Sequence, residues 1–473
     1  LRLGRVDLYG DSYGTWFAQS FMARHRSQLH SVILDSAYPV RGLDPWYASS
    51  GEAARGAMDA VCARDVGCAT AAPGSATARL ARLVAAVRDQ PIEGPTRDSD
   101  GTSVQARVDV RALVDLVQDA GSDPLIYREL DASVRAALAG DPEPILRLVA
   151  QSQTWNHGGS SAGYFSDGLY FAVGCTDYPQ LFDMASSPDA RRAQFAAAAS
   201  MAPDAFAPFT PAEWLTMSPY SEPYQACLEW PRPAHHVPPV PPATGPLPVS
   251  VPILVIGGDL DSLTPVGDVR SFAPTLGRNV RVIALPNTVH VTSEGDTFLF
   301  AGAACARRII RSFAAAPKRL KSIDAGCAAG IPPVHTAGAY PRTFGAAAEA
   351  TVLSGPDPGV DGRRAVTVAA GALGDAIMRW YYSSASHGPG LRGGTFTVAG
   401  GATMRFRLHG AAFVSDATVD GTGTWQFGSA RVHGDLVVRR AGAAPVNVRV
   451  DWTQRVSTAL ATVNGASLTL PAP

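Results

Sequence analysis

Arg-Val-Asp-Leu-Tyr-Gly-Asp-Ser-Tyr-Gly, residues 5–14, is the stretch on which the fold turns. Residues 5–9 alternate as a short strand does. The segment from Trp16 to Met22 has helical spacing, and Ser31 to Leu34 reads as a second strand ending at Asp35. Strand, helix and strand in about 30 residues make a βαβ unit, whose parallel sheet must be covered on both faces. Between the first strand and the helix stands G-x-S-x-G, from Gly10 to Gly14. The pattern suits a sharp turn that holds Ser12 Oγ at its tip, with glycine on both sides giving the turn room. The backbone N–H of Tyr13 then sits at a helix N-terminus, where it can stabilise an oxyanion.

The pattern alone is weak, because about one residue in ten is glycine. A second match, Gly159 to Gly163, follows no strand and opens no clear helix, so it reads as a flexible loop. Context singles out Ser12. A serine nucleophile needs a histidine to take its proton and a carboxylate to orient that histidine. In α/β-hydrolases the chain order is Ser, acid, His. Three acids compete. Asp259 and Asp261 follow the apolar strand Val251 to Gly257, in Gly-Gly-Asp-Leu-Asp-Ser-Leu-Thr-Pro, and Asp35 follows the earlier strand. Successive residues of an extended turn point opposite ways, so one of Asp259 and Asp261 faces the histidine. Asp261 is favoured, with Asp259 a turn or cap residue of a helix that begins near Pro265. Among ten histidines, His290 is placed best, in Leu-Pro-Asn-Thr-Val-His-Val just after the strand Val280 to Leu285. Loops at the C-terminal edge of a sheet are where catalytic groups gather. His235 and His236 lie in a proline-rich segment and read as surface residues. His157, in Asn-His-Gly-Gly, imitates an oxyanion loop but follows the nucleophile in sequence.

Four segments emerge on working outward. Residues 1–39 and 251–335 carry α/β texture and form one core. Residues 40–250 interrupt it, with helical periodicity at 77–90, 109–119 and 125–150 and few strand signals. This insertion ends in residues 231–252, where nine of 22 residues are proline, a stiff linker composition. Residues 340–473 hold one helix, at 364–382, and then short alternating runs between Gly-rich turns, a β-rich accessory domain. The fold class is therefore α/β, with a helical cap insertion and a C-terminal β-rich domain. A net charge of −1 excludes a basic nucleic-acid binder. No apolar run reaches the roughly 18 residues of a membrane span. The six cysteines form no CxxC pair with a nearby histidine, so no metal is expected, and nothing calls for a cofactor.

Together, GDSYG, the acid in GGDLDSLTP, the histidine in LPNTVHV and the contexts Cys-Thr-Asp-Tyr-Pro (175–179) and Cys-Leu-Glu-Trp (227–230) resemble the secreted serine aminopeptidases of the tripeptidyl aminopeptidase group. These are α/β-hydrolases of the prolyl-aminopeptidase superfamily. The resemblance spans about residues 1–335 and leaves the β-rich region unexplained. Its Asp-x-x-Thr-Pro motif selects Asp261, and Val289 replaces the glycine usual before the histidine. It implies disulfides Cys62–Cys68, Cys175–Cys227 and Cys305–Cys327, which a secreted or cell-envelope location would permit. It also implies a peptide substrate cleaved near its amino end. Asp177 and Glu229 are then the candidates for holding the α-ammonium, against a bland role as helix caps or surface ion pairs.

In that family further strands, a helix and a His-Gly-Gly-Pro-Gly-like loop precede the elbow strand. The expectation is therefore an N-terminally truncated hydrolase with about four of the usual eight strands, its first strand at an edge and its oxyanion hole half built. An esterase or lipase using the same triad is the first rival reading. The second is a non-catalytic surface or binding protein worked by the β-rich domain, which is also the part placed to contact the cell envelope.

Overall fold

The computed structural model describes residues 4–157, 166–216, 222–232, 250–295 and 301–473. In chain order the first elements are β1 (Val6–Asp11), α1 (Tyr13–His25), β2 (Leu29–Asp35), α2 (Ala48–Arg64), α3 (Val66–Ala71) and α4 (Ala76–Asp89). Next come β3 (Ile92–Arg97), β4 (Ser103–Val108), α5 (Val110–Asp119), α6 (Pro124–Leu138), α7 (Glu143–His157), α8 (Asp167–Asp177), α9 (Pro188–Met201), α10 (Pro211–Thr216) and α11 (Glu222–Glu229). Then follow β5 (Ile253–Gly258), α12 (Val266–Phe272), β6 (Val280–Leu285), α13 (Ala301–Ala315), β7 (Thr351–Ser354) and α14 (Gly359–Ser383). The chain closes with β8 (His387–Pro389), β9 (Thr395–Gly400), β10 (Thr403–Val414), β11 (Ala417–Gln426), β12 (Arg431–Arg440), β13 (Val446–Thr453), β14 (Thr458–Val463) and β15 (Ala466–Pro471).

These elements form two compact units. The first comprises Leu1–Met58, Leu113–Pro124 and Ser160–Pro333; the second comprises Asp59–Ala112, Leu125–Gly159 and Val334–Pro473. The second unit thus draws part of its chain from the stretch 40–250, read from sequence as a single insertion. That stretch also holds the antiparallel hairpin β3–β4, where few strand signals were seen. Gly94 and Pro95 interrupt the alternation that marks a strand.

The first unit is built on a four-stranded parallel sheet of order β1-β2-β5-β6. Alternation along the strands splits its side chains between two cores. Val32 and Leu34 of β2 and Ile253 and Val255 of β5 pack with Ala18 and Met22 of α1 and Val269 and Phe272 of α12. Ile33, Leu254, Ile256, Ile283 and Leu285 pack on the opposite side with Ile309 and Phe313 of α13. Every residue of β5 is buried, as expected for a strand covered on both faces. Register brings the C-terminal ends together: Asp11 lies beside Asp35, Asp35 beside Ile256, and Gly258 beside Leu285. The loops that follow all four strands therefore leave from one edge of the sheet.

In the second unit, β7 to β15 form one antiparallel sheet of order β7-β15-β14-β13-β12-β11-β10-β9-β8. Helix α14 is largely buried and packs against six of these strands. The large C-terminal sheet read from sequence is thus present, with longer strands and more of them. Three disulfides join Cys62 to Cys68, Cys175 to Cys227 and Cys305 to Cys327, the pairing that the resemblance implies. No described helix is long and apolar enough to cross a membrane.

Candidate active site

β1 ends at Asp11 and α1 begins at Tyr13, which leaves Ser12 alone to make the turn. Its backbone is bent to φ 45° and ψ −123°, a conformation that costs an L-residue energy. A side chain at Gly10 would place its Cβ 2.3 Å from the carbonyl oxygen of Gly14, so the turn closes only with glycine there. Neighbours hold the strained residue. Ser12 N–H donates to the carbonyl of Asp35 at 3.1 Å, and the Ser12 carbonyl accepts from Thr15 N at 2.9 Å and Thr15 Oγ1 at 2.7 Å. The N–H of Tyr13 belongs to the first turn of α1, which offers it no intrahelical acceptor.

The acid loop leaves β5 at Gly258, where a Cβ would stand 2.0 Å from the carbonyl oxygen of Thr288. That close approach brings the two loops side by side. Asp261 then folds the loop around its own carboxylate, which accepts from Leu263 N at 2.9 Å, Thr264 N at 2.7 Å and Thr264 Oγ1 at 2.6 Å. This is the physical content of Asp-x-x-Thr-Pro: an Asx turn whose threonine also clamps the acid. Asp261 Oδ2 lies 3.0 Å from His290 Nδ1, and His290 Nε2 lies 2.8 Å from Ser12 Oγ. The carboxylate only accepts, so it fixes the proton on Nδ1 and leaves Nε2 to accept from the serine hydroxyl.

The rival acids are engaged elsewhere. Asp259 Oδ1 accepts from Asn287 N at 2.6 Å, tying the acid loop to the histidine loop. Asp35 is fully buried. It accepts from Thr292 N at 2.9 Å, Thr292 Oγ1 at 2.7 Å and Ser293 N at 2.9 Å. Val291 N–H donates to Ser36 Oγ at 2.8 Å. The end of β2 thus grips the three residues after His290, while His290 N itself donates to the carbonyl of Gly121 at 2.8 Å. The grip is needed, because Val291 and Ser36 both carry positive φ, 54° and 57°, and a β-branched residue there is strained.

Burial disfavours the imidazolium of His290, but the negative charges of Asp261, Asp35 and Asp11 outweigh it and raise the pKa above the ordinary histidine value. Burial pushes the Asp35 carboxyl above its ordinary range, against the opposing hydrogen bonds from Thr292 and Ser293. The Tyr13 phenol is raised to about 12, by burial first and then by Asp177.

Ser12 and His290 line a cavity of about 340 Å³. Trp46, Tyr47, Tyr170, Tyr178 and Trp214 supply its aromatic wall. Tyr178 and Tyr38 meet hydroxyl to hydroxyl at 2.5 Å, and Tyr38 stacks on Trp16 with ring centroids 5.5 Å apart. Of the two carboxylates expected to hold a substrate ammonium, Asp177 accepts from Tyr13 Oη at 3.3 Å. Glu229 is exposed and paired with Arg192. Neither is among the residues lining the cavity, whose one carboxylate among the described residues is Asp44. Asp44 accepts from Trp46 N at 3.1 Å and Ala48 N at 3.3 Å. His157 closes α7, and its side chain lies outside the described residues, as do the second G-x-S-x-G match and His235 and His236. Among the described residues, Cys62, Cys68 and Asp131 are the group of potential metal ligands that converge, and the two sulfurs are bonded to each other. Sequence reading missed the cavity wall. Its aromatic residues are scattered through the insertion without a spacing that marks them.

Residues 213–327 match the sequence model of the TAP-like protein family of α/β-hydrolases. The match covers less than half of the chain; it includes Asp261 and His290 and stops short of Ser12. A search of curated proteins found no match. The chain is thus similar over this segment to a hydrolase family, and the segment carries two of the three side chains that converge on one another.

Proposed function

We propose that the protein is a serine peptidase that releases amino acids or short peptides from the amino end of peptides. The reading rests on one observation: the continuous line from Asp261 through His290 to Ser12, at 3.0 and 2.8 Å. Ser12 Oγ attacks the peptide carbonyl as His290 Nε2 takes its proton. The oxygen of the tetrahedral intermediate is stabilised by the N–H of Tyr13 at the head of α1. Collapse expels the amine, which receives the proton back from His290, and water repeats the sequence to free the acyl group. Asp261 keeps the imidazole in the tautomer this requires. Asp177, tied to Tyr13 beside the nucleophile, remains the better of the two carboxylates for drawing an ammonium group; Glu229 is spent on Arg192. Three disulfides fit an exported enzyme, because such bonds persist in oxidising compartments. Contact of the C-terminal domain with the cell envelope stays part of this proposal.

An ester hydrolase is the second reading, favoured by the aromatic cavity wall. A fluorophosphonate probe tests the shared chemistry. Ser12 labels in the wild type, and Ser12→Ala abolishes both label and turnover; an unlabelled Ser12 overturns both readings. Aminoacyl-nitroanilides and p-nitrophenyl esters in competition separate them, with faster turnover of the nitroanilides expected. The raised pKa of His290 gives a pH signature. The base works only when neutral, so kcat/KM rises with pH through an acid limb centred above the ordinary histidine value of about 6.5.

A further inference from the structure

Among the described residues that line the cavity, Asp44 is the one carboxylate, and none is a lysine or an arginine. His290 is neutral when it acts as the base, so the working cavity carries a single negative charge. Asp44 is exposed, and its carboxylate is held in place. Oδ1 accepts from Trp46 N–H at 3.1 Å, and Oδ2 accepts from Ala48 N–H at 3.3 Å, at the head of α2. Each oxygen keeps further acceptor capacity. Two bonds fasten the same segment to the catalytic loop. Tyr47 Oη donates to the carbonyl of Leu263, whose own N–H is held by Asp261. Ser49 Oγ donates to Asp268 Oδ2 at 2.6 Å, in α12 just beyond that loop. Asp44 therefore keeps one place relative to the acid that serves His290.

Capping α2 accounts for the two hydrogen bonds of Asp44 but not for the aromatic cavity that it shares with Ser12 and His290. Its charge is felt nearby: the Asp268 carboxyl stands above its ordinary range, through burial first and then, against a hydrogen bond from Ser49, through Asp44 and Glu52. A single carboxylate among aromatic rings is complementary to a cation. The carboxylate offers charge-assisted hydrogen bonds, and ring faces attract the same charge. We propose that Asp44 is a specificity-determining residue that binds the α-ammonium of the substrate's first residue. This rests on the peptidase reading above and deepens it. It takes the role from Asp177, which does not line the cavity. A peptide with a free amino end is preferred. An acetylated one removes the charge and leaves the carboxylate without its partner.

The test measures release of p-nitroaniline from a tripeptidyl p-nitroanilide that begins with norleucine, and from its N-acetylated analogue. The wild type is expected to favour the free amine by roughly tenfold or more in kcat/KM. In Asp44→Asn, which keeps an oxygen for capping α2, that ratio falls toward one, and the fall lies in KM. The ratio is the readout because both substrates share any change in folding or in the catalytic line. A lysine side chain carries the same ammonium, so an acetylated substrate beginning with lysine is the third arm. It stays as slow as acetylated norleucine if Asp44 reads the amino end; turnover matching the free amine overturns that assignment. Equal kcat/KM for free and acetylated substrates in the wild type overturns the proposal without any variant. So does a ratio unchanged in folded Asp44→Asn. No release from any of the three substrates overturns the peptidase reading, and this inference with it.

Discussion

Each compact unit contains a histidine beside a buried aspartate, and the two pairs differ in what lies on the far side of the ring. In the first unit Asp261 stands 3.0 Å from His290 Nδ1, and Nε2 faces Ser12 Oγ at 2.8 Å. In the second unit Asp65 stands 3.4 Å from His335 Nδ1, and Nε2 faces the carbonyl of Ala472 at 2.9 Å. Both carboxylates are wrapped by hydroxyl and backbone donors. Thr264 and Leu263 serve Asp261, while Thr336, Ser457 and Gly67 serve Asp65. The pairing of acid and imidazole is therefore not what marks a reactive site. A reactive pair needs a hydroxyl that can lose its proton and an opening beside it. Ser12 provides the first and the cavity the second, whereas a backbone carbonyl gives the second ring nothing to deprotonate.

The largest expected effect comes from breaking each pair in turn. His290→Ala should lower kcat by about 10⁴-fold or more while leaving the melting temperature near that of the wild type, because it removes the base. His335→Ala should do the reverse. It loses the buried link between Asp65 and the chain end and costs about 2 kcal/mol or more of stability, with kcat per folded molecule unchanged. Active-site titration with a fluorophosphonate, combined with thermal unfolding, reads both. A loss of turnover per folded molecule in His335→Ala would erase the distinction.

Asp35 sharpens the same comparison within the first unit. It touches no reacting atom, but it grips Thr292 and Ser293 next to His290 and is proposed as a positioning residue. In Asp35→Asn an amide NH₂ replaces one of the two oxygens and confronts a donor it cannot accept. A misplaced base costs rate more than affinity, so kcat should fall by about 10- to 100-fold with KM little changed. Asp35 also helps to raise the pKa of His290. Removing its charge should move the acid limb of the pH–rate profile to lower pH. An unmoved limb with unchanged kcat would reduce Asp35 to a core residue.

Sequence reading reached different depths in different places, for physical reasons. Gly10, Ser12 and Gly14 are legible because the turn tolerates few other residues, and strand and helix flank it in the chain itself. Asp261 was legible through Thr264 and Pro265, three and four residues on. The role of Asp35 was not, since it depends on how the loop after His290 lies over the end of β2, more than 200 residues away in sequence. In the second unit, small residues such as Ala459 and Ala461 concealed β14 among Gly-rich turns. The Arg5–Gly14 stretch, by contrast, folds as its local pattern dictates.

The smallest expected effect separates the electrostatics of the structural pair from its packing. Burial alone would raise the pKa of Asp65, but hydrogen bonding and charge from His335, with the hydroxyls of Thr336 and Ser457, hold it down to about 2, against an ordinary 3.8. A depressed folded-state pKa means that the unfolded chain binds the proton more tightly. The stabilisation is therefore fully present above the ordinary value and is lost as pH falls through the folded one. Its size is about 2 kcal/mol. Urea unfolding followed by tryptophan fluorescence should show Asp65→Asn less stable than the wild type by about that amount at pH 7. The gap should narrow at pH 3, where the wild-type protein has begun to lose the same contribution. A gap of equal size at both pH values would show that Asp65 stabilises the second unit through its shape and hydrogen bonds alone. The charge it shares with His335 would then contribute nothing to the fold.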